Sequence, residues 1–107
     1  MSVDLGRADV FAAVAAPNRR AMMALLAHQE LPVSELAASF AMTLSAVSQN
    51  LSVLRQAGLV TSRKEGKQRL YRLDPKPLRE IADWLNEYET FWTDKLTDLG
   101  TYLQENP

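Results

Sequence analysis

The chain has 107 residues, a formal net charge of -1 and no cysteine. This length allows one domain, expected to span residues 1–107, and the lack of cysteine excludes disulfides, thiolate metal sites and cysteine redox sensing. No apolar run is long enough to cross a membrane, and the N-terminus has no basic start followed by an apolar core, so a soluble cytoplasmic protein is expected.

The first predicted helix covers residues 7 to 15 and has apolar side chains on one side. These side chains are Val10, Phe11 and Val14. Because a helix this short is not stable alone, we expect it to pack against another helix, in its own subunit or in a partner.

A second helix is predicted from Asn18 to Ala27, after a break at Ala16-Pro17. Its first turn contains Arg19 and Arg20, whose positive charge opposes the helix dipole. Three explanations are open for this pair: an outside partner such as a phosphate, an internal carboxylate contact, or a solvated surface position.

A helix-turn-helix pair is predicted next. Residues 30 to 33 are expected to form a loop or a short edge strand, and Ser34 is expected to cap a third helix that ends at Phe40. Ala41-Met42 makes the tight turn into a fourth helix, for which Thr43 is the expected N-cap.

The fourth helix has two contrasting faces. Its apolar face, expected to point into the core, carries Leu44, Val47, Leu51 and Leu54. Its other face carries Ser45, Ser48, Gln49 and Ser52, which are short, uncharged hydrogen-bonding side chains. Such groups can approach base edges in a major groove, whereas a face that only needs to be soluble usually carries Glu and Lys. The alternative is a merely polar helix face.

A basic hairpin follows the fourth helix, which is expected to stop at Gly58 in the left-handed C′ position. Its strands are predicted at Leu59 to Lys64 and Arg69 to Leu73, and Gly66 supplies the positive φ that the turn needs. The hairpin carries Arg63, Lys64, Lys67, Arg69 and Arg72, with Glu65 as its only acid. The predicted fold class is therefore mainly α with a two-stranded β-wing, a winged helix-turn-helix in which the helix contacts bases and the wing contacts phosphate.

A long final helix is predicted from about Leu78 to Gln104, with one apolar stripe. The stripe consists of Ile81, Leu85, Tyr88, Trp92, Leu96, Leu99 and Leu103. At about 1.5 Å per residue the helix would be roughly 40 Å long, more than the preceding body can cover, so a second copy of the chain is the expected partner. Acids dominate from Glu80 onward, so the molecule has an acidic pole opposite its basic one.

These stretches resemble the ArsR-type winged-helix repressors over residues 17 to 103. PNRRAMMALL corresponds to the second helix, LPVSELAASFAMTLSAVSQNLSVLRQAGLV to the helix-turn-helix, and SRKEGKQRLYRLDPKPL to the wing. The tail, PLREIADWLNEYETFWTDKLTDLGTYL, resembles the metal-free, autorepressor-like branch. The resemblance implies a homodimer, joined by the first and last helices, that represses its own operon and leaves its operator when an inducer binds.

The resemblance also implies site residues. Family DNA contacts, carried over by motif position, fall on Ser45, Ser48 and Gln49 and on the wing around Lys64, Lys67 and Arg69; Leu44 replaces a residue that is often polar. The full expected DNA-binding set is Thr43, Ser45, Ala46, Ser48, Gln49, Ser52, Arg63, Lys64, Lys67 and Arg69. The expected dimerisation set is Val10, Phe11, Val14, Leu85, Tyr88, Trp92, Leu96, Leu99 and Leu103.

No metal and no cofactor are expected. Metal-sensing members carry Cys-Val-Cys where this chain has Pro32-Val33-Ser34, which excludes an arsenic, cadmium or lead site there. The other familiar metal site uses histidine on the last helix, which has none here, and His28 is the only histidine of the chain. Asp83 and Glu87 are expected to form a solvated acidic face.

The expected function is a sequence-specific transcriptional regulator whose partners are double-stranded operator DNA and a second copy of the chain. An enzyme is disfavoured because no Cys/His pair, phosphate-binding glycine loop or metal constellation is present. Two alternatives remain. One is a winged-helix module that binds another protein; the other is a repressor in which Trp84, Tyr88, Phe91 and Trp92 line a pocket for an apolar effector at the dimer interface.

Overall fold

A computed structural model describes residues 9–105. Six helices and three strands lie in this range. They are α1 (Val10–Val14), α2 (Pro17–Leu26), β1 (Leu31–Pro32), α3 (Val33–Phe40), α4 (Leu44–Gln56), β2 (Val60–Glu65), β3 (Gln68–Leu73), α5 (Leu78–Asn86) and α6 (Glu89–Glu105). The predicted mainly helical fold with a β-wing is confirmed. Positions 7 and 8 of the predicted first helix lie outside the described residues.

Helix α1 is held at its start by a side-chain cap. Asp9 Oδ1 accepts hydrogen bonds from the backbone N–H groups of Phe11 (2.6 Å) and Ala12 (3.1 Å). The helix ends before Pro17, which occupies the first position of α2, because a residue that precedes proline is disfavoured in helical backbone.

Arg19 and Arg20 bind the end of the preceding helix. Arg19 donates from Nε to the carbonyl of Ala13 at 2.7 Å and from Nη2 to that of Ala12 at 3.1 Å, and Arg20 donates from Nη1 to the carbonyl of Val14 at 2.6 Å. The last carbonyls of a helix have no partner within it and lie at the negative end of its dipole. The two arginines therefore compensate α1. Arg19 Nη1 also donates to Asn50 Oδ1 at 3.5 Å, and neither arginine pairs with a carboxylate in residues 9–105.

The start of α3 differs from the prediction. Leu31 and Pro32 form an edge strand that pairs antiparallel with Tyr71 and Leu70 of β3. Pairing keeps the chain extended through Pro32, so the helix begins at Val33 and Pro32 occupies the N-cap position without a side-chain hydrogen bond. The predicted cap at Ser34 is wrong, because Ser34 already lies inside the first helical turn.

At the start of α4 the predicted cap is confirmed, but one residue assigned to the buried face is exposed. Thr43 Oγ1 accepts a hydrogen bond from the backbone N–H of Ala46 at 3.0 Å, after a turn in which Ala41 is left-handed. Val47, Leu51 and Leu54 are buried as expected. Leu44 is 58% exposed, so its assignment to the core face is wrong. It lies one helical turn before Ser48, on the outer side of α4.

The wing consists of β2, β3 and the turn between them, in which Gly66 has a positive φ of 60°. Strand β3 lies in the middle of a three-stranded antiparallel sheet of order β1-β3-β2, so the hairpin is supported by a third strand that the predicted two-stranded wing did not include. Gly58 ends α4 with a φ of 78°, as predicted.

The core lies beneath α4 and the base of the wing. Its buried side chains are Val10, Ala13, Met22, Met23, Leu26, Leu31, Leu36, Ala37, Val47, Leu51, Leu54, Leu59 and Val60. Because α4 contributes three residues and packs against α1, α2, α3 and β2, its orientation is fixed by several neighbours at once.

The predicted final helix is interrupted, which makes the expectation of one continuous helix wrong. Between α5 and α6, Glu87 and Tyr88 form a turn in which their N–H groups bind the carbonyls of Trp84 and Leu85, three residues back. No glycine or proline marks this point. Helix α5 packs on α1, where the Trp84 ring meets that of Phe11, and the contact sets the direction of α5 independently of α6.

Candidate nucleic-acid interface

The outer face of α4 presents uncharged polar side chains to solvent. Ser45, Ser48, Gln49 and Ser52 are exposed, and their side chains have no hydrogen-bond partner within residues 9–105. We call these four residues the α4 polar face. Since hydrogen-bonding groups without an internal partner remain free for a ligand, this face can donate to and accept from base edges.

Two neighbours of this face, also expected to contact DNA, have structural tasks. The Thr43 hydroxyl oxygen caps the helix, and Ala46 is half-buried with its backbone N–H bound by that cap. They therefore position the start of α4, and the Thr43 hydroxyl hydrogen remains available to an acceptor.

The register of the wing divides its cations between the two faces of the sheet. Lys64 pairs with Arg69, and Arg63 pairs with Leu70. Directly paired residues share a face and successive residues alternate, so Lys64 and Arg69 lie on one face and Arg63 on the other. Lys67 is in the turn. We call Lys64, Lys67 and Arg69 the wing-tip cations.

Ser48 of the α4 polar face and Arg69 of the wing-tip cations border one groove of about 370 Å³. It is lined by Pro32, Val33, Ser34, Leu44, Ser48, Gln68 and Arg69. Ser48 and Arg69 are twenty-one positions apart in the chain, and the fold brings them to the same groove. Arg69 is also oriented by a hydrogen bond of 3.1 Å from its Nη1 to Ser62 Oγ. A hydroxyl and a guanidinium are thus presented in the same groove.

Lys64 and Lys67 form no ion pair within the described residues, and both are exposed. Their charges remain available to an outside anion. Together with Arg69 they make the wing tip a positively charged surface beside an uncharged helix face, the combination that separates phosphate contact from base contact.

Arg63 is engaged by carboxylates. Its Nε lies 2.9 Å from Glu30 Oε2, its Nη2 lies 3.1 Å from Glu30 Oε1, and Nη2 also lies 3.1 Å from Glu65 Oε2. The hydrogen bond from Arg63 lowers the pKa of Glu30, and the Glu30 carboxylate raises the pKa of Arg63. In the free protein the Arg63 guanidinium is therefore paired with carboxylates, and its expected contact with phosphate stays a prediction.

Glu30 is a residue that sequence reasoning missed. It precedes the edge strand by one position and meets a cation 33 residues later across the middle strand. The available signal was the combination of a short edge strand with an acid beside it, but only the strand register identifies the partner.

The expected dimerisation residues fall into two groups. Val10 is 4% exposed and belongs to the core of the single chain, so it has little surface left for a partner. Phe11 and Val14 are partly exposed. Ile81, at the start of the stripe, is partly buried against the core, and the rest of the stripe is open to solvent, from 36% exposure at Leu85 to 70% at Leu96. Its other exposed members are Tyr88, Trp92, Leu99 and Leu103. An apolar surface of this extent on a helix marks an interaction site.

Residues 9–105 contain no cluster of three or more His, Cys, Asp and Glu side chains that could hold a metal ion. His28 is exposed and lines a shallow hollow of about 540 Å³ beside α2 and α3. Asp83 and Glu87 are exposed, and no helix in the described range is both long and apolar enough for a membrane span.

Comparison with known proteins gives consistent matches. A sequence profile for bacterial regulatory proteins of the arsR family matches residues 16–62. The chain is 42% identical over 85 residues to the HTH-type transcriptional regulator Rv2034 of Mycobacterium tuberculosis, covering 79% of this chain and 77% of the relative. It is 41% identical over 93 residues to the transcriptional repressor SmtB homolog of Synechocystis sp., covering 81% of this chain and 70% of the relative. Among solved structures, an ArsR-like transcriptional regulator from Rhodococcus sp. RHA1 matches with a TM-score of 0.71 at 26% identity, covering 92% of this chain and 90% of the other.

Proposed function

The chain belongs to the bacterial ArsR family of transcriptional regulators, and from this premise we propose that it is a homodimeric repressor that binds operator DNA in front of its own operon. Its relatives are regulators and not enzymes, so the function lies in binding. Because its proposed target is DNA, we propose that the protein acts in the cytoplasm.

One observation carries the proposal: Ser48, a member of the α4 polar face without an internal hydrogen-bond partner, borders the same groove as Arg69. In this assignment the α4 polar face contacts base edges in the major groove, and Gln49 is the residue suited to bidentate contact with adenine. The wing-tip cations bind phosphate, which fixes the position of the protein on the duplex and supplies affinity for any sequence.

The exposed stripe supports the dimer. Helix α6 follows the turn at Glu87 and Tyr88, and every one of its residues is exposed in the single chain. Burial of this stripe against the same surface of a second copy, related by a two-fold axis, would place two copies of α4 on one side of the assembly. Operator half-sites about one helical turn apart, roughly 34 Å, are the expected target.

We propose further that regulation does not use cysteine thiolates, because the chain contains no cysteine. Release from the operator then depends on another signal. The serine and proline that flank Val33 offer no metal ligand comparable to a thiolate.

The test is a titration of labelled duplex DNA, followed by fluorescence anisotropy. DNA from upstream of the chain's own gene is compared with a scrambled duplex of equal length, over a series of salt concentrations and with or without chelator. We expect the upstream DNA to bind at least about 10³-fold more tightly and its log affinity to fall steeply with log salt. Equal, salt-insensitive binding to both duplexes would instead favour a protein-binding module.

Chelator should leave the affinity unchanged if no metal takes part. The assembly state is measured separately by sedimentation equilibrium across the concentrations used for DNA binding. A dimer at those concentrations supports the proposed arrangement of half-sites, whereas a stable monomer contradicts it.

A further inference from the structure

Arg63, on the wing, forms ion pairs with two carboxylates of the same chain, those of Glu30 and Glu65. Its guanidinium takes both oxygens of Glu30, through Nε at 2.9 Å and Nη2 at 3.1 Å, and Nη2 is also 3.1 Å from Glu65. Two parallel N–H···O bonds to one carboxylate give this pair a defined geometry, unlike the single contacts of most surface ion pairs.

The pair crosses the sheet. Glu30 lies beside β1 at one edge, Arg63 lies in β2 at the other edge, and β3 runs between them. Glu30 and Arg63 border a hollow of about 240 Å³ together with Thr61, Ser62 and Arg72. This hollow is separate from the groove that Ser48 and Arg69 share. Arg63 is therefore drawn toward the edge strand and away from the groove.

We propose that Glu30 withholds Arg63 from DNA phosphate and thereby limits the sequence-independent part of the affinity of this regulator. The inference rests on the proposed DNA-binding function. A lysine or arginine adds to DNA affinity by neutralising a phosphate and releasing a condensed counterion, and a guanidinium already paired with a carboxylate cannot do so without losing that partner. Since phosphate contacts carry no sequence information, the restraint acts on random and operator DNA alike.

Removal of the Glu30 charge would weaken the hold on Arg63. Glu65 remains as its partner, and Glu65 pairs with Gln68 beside the turn of the hairpin. The bidentate pair with Glu30 is then replaced by the contact of Arg63 with Glu65 alone, which a phosphate can displace more readily, and the wing gains one net positive charge in each protomer.

The experiment compares the parent chain with Glu30→Gln, which keeps the side-chain shape and removes the charge. Glu35→Gln is the matched control, because it removes the same charge from an exposed position on α3 whose carboxylate has no partner in the described residues. Binding of each to random and upstream duplexes is measured over a salt series. For Glu30→Gln we expect about three- to tenfold tighter binding to random DNA, and a slope of log affinity against log salt that steepens by about two per dimer.

Arg63→Gln, made in the parent and in the Glu30→Gln chain, completes a double-mutant cycle. In the parent background it should change random-DNA affinity little, because Arg63 is already neutralised. In the Glu30→Gln background it should abolish the gain. Circular dichroism and thermal unfolding of each variant show whether the fold is kept.

Whether Glu30→Gln strengthens or weakens binding to DNA decides the inference. If Glu30 serves to hold the wing in a shape needed for DNA binding, Glu30→Gln would weaken binding. Weaker binding, unchanged binding, or a gain that Glu35→Gln reproduces or that survives Arg63→Gln would each overturn the inference. Failure of the parent chain to bind any duplex would instead refute the proposed function itself.

Discussion

The rings of Phe11 and Trp84 meet edge to face, with centroids 5.6 Å apart and planes at 90°. Phe11 belongs to α1 and Trp84 to α5, so this contact joins two helices that are about seventy residues apart in the chain. Tyr88 extends it, with its ring centroid 5.6 Å from that of Trp84. Part of the expected dimer interface, α1 and the α5 segment of the final helix, is therefore already packed together within one protomer.

This aromatic contact should be measurable as a coupling energy. Phe11→Leu and Trp84→Leu, singly and together, remove the ring contact and keep apolar side chains in place. We expect a coupling of about 0.5–1.5 kcal/mol, which is typical of aromatic pairs. Denaturant unfolding at one fixed protein concentration measures it, since the stability of a dimer depends on concentration. Additive effects would show that the two helices are held together by other contacts.

Arg19 should contribute to stability and not to DNA binding. Arg19→Gln removes the hydrogen bonds to the carbonyls of Ala12 and Ala13 and to Asn50 Oδ1, and leaves Arg20 as the one arginine that binds the end of α1. We expect a loss of about 1–2 kcal/mol in the free energy of unfolding and an unchanged salt dependence of DNA binding. Arg20→Gln is the control, because it removes a charge at the neighbouring position and only one such bond. A shallower salt slope for Arg19→Gln would mean that Arg19 contacts phosphate.

Gln49 and Lys67 should affect DNA binding in different ways. Gln49→Ala should lose about 1–3 kcal/mol of preference for the operator and bind random DNA as the parent does. Lys67→Ala should weaken binding to both duplexes equally and reduce the salt slope by about one per protomer. Anisotropy titrations of both duplexes measure these differences. The roles assigned to helix and wing are wrong if both variants bind every duplex like the parent.

The pair of Glu30 and Arg63 should make stability depend on acid pH. Because the pKa of Glu30 is lowered in the folded protein, the pair stabilises the fold above the ordinary value of 4.5, and this contribution is lost as the pH falls through the lowered folded pKa. Denaturation midpoints of the parent and Glu30→Gln should therefore differ at neutral pH and converge in acid. Glu35→Gln serves as control and should not reproduce the convergence. A gap that persists unchanged in acid contradicts the assignment.

The α6 stripe should hold the dimer. Leu96→Glu places a charge at a position that is 70% exposed in the single chain and buried in the proposed dimer. We expect the dimer dissociation constant to rise at least about 30-fold, corresponding to 2 kcal/mol, and operator binding to weaken with it. Thr101→Glu is the matched control, since Thr101 lies on the opposite side of the helix from the stripe. Sedimentation equilibrium measures the dimer dissociation constant of each variant. Equal effects of the two substitutions would show that the interface does not lie along the stripe.

Two predicted helix caps, Thr43 and Ser34, show when a local sequence pattern identifies a helix start and when it does not. Thr43 caps α4 as predicted, because the preceding turn leaves the helix start to local hydrogen bonding. Ser34 does not cap α3, because Leu31 and Pro32 pair with β3 and that pairing decides where the extended chain ends. The partner strand lies about forty residues further along, outside the range of any local pattern.

The final helix shows a similar limit. The spacing of apolar residues predicted the stripe. It could not predict the turn at Glu87 and Tyr88, because the same spacing continues across the turn. The contact of Trp84 with Phe11 is tertiary, and it sets the path of α5 separately from that of α6.

The sequence by itself determined the polar face of α4, the glycine that shapes the wing turn and the apolar stripe toward the C-terminus, because each depends on residues a few positions apart along one element. Tertiary structure alone decided that Arg19 caps α1, that Leu44 is exposed, and that Arg63 is paired with Glu30 while Lys64 and Lys67 remain free. The physical reason is that the available charge of a side chain depends on its neighbours in space, and strand register brings together residues that no periodicity along the chain relates.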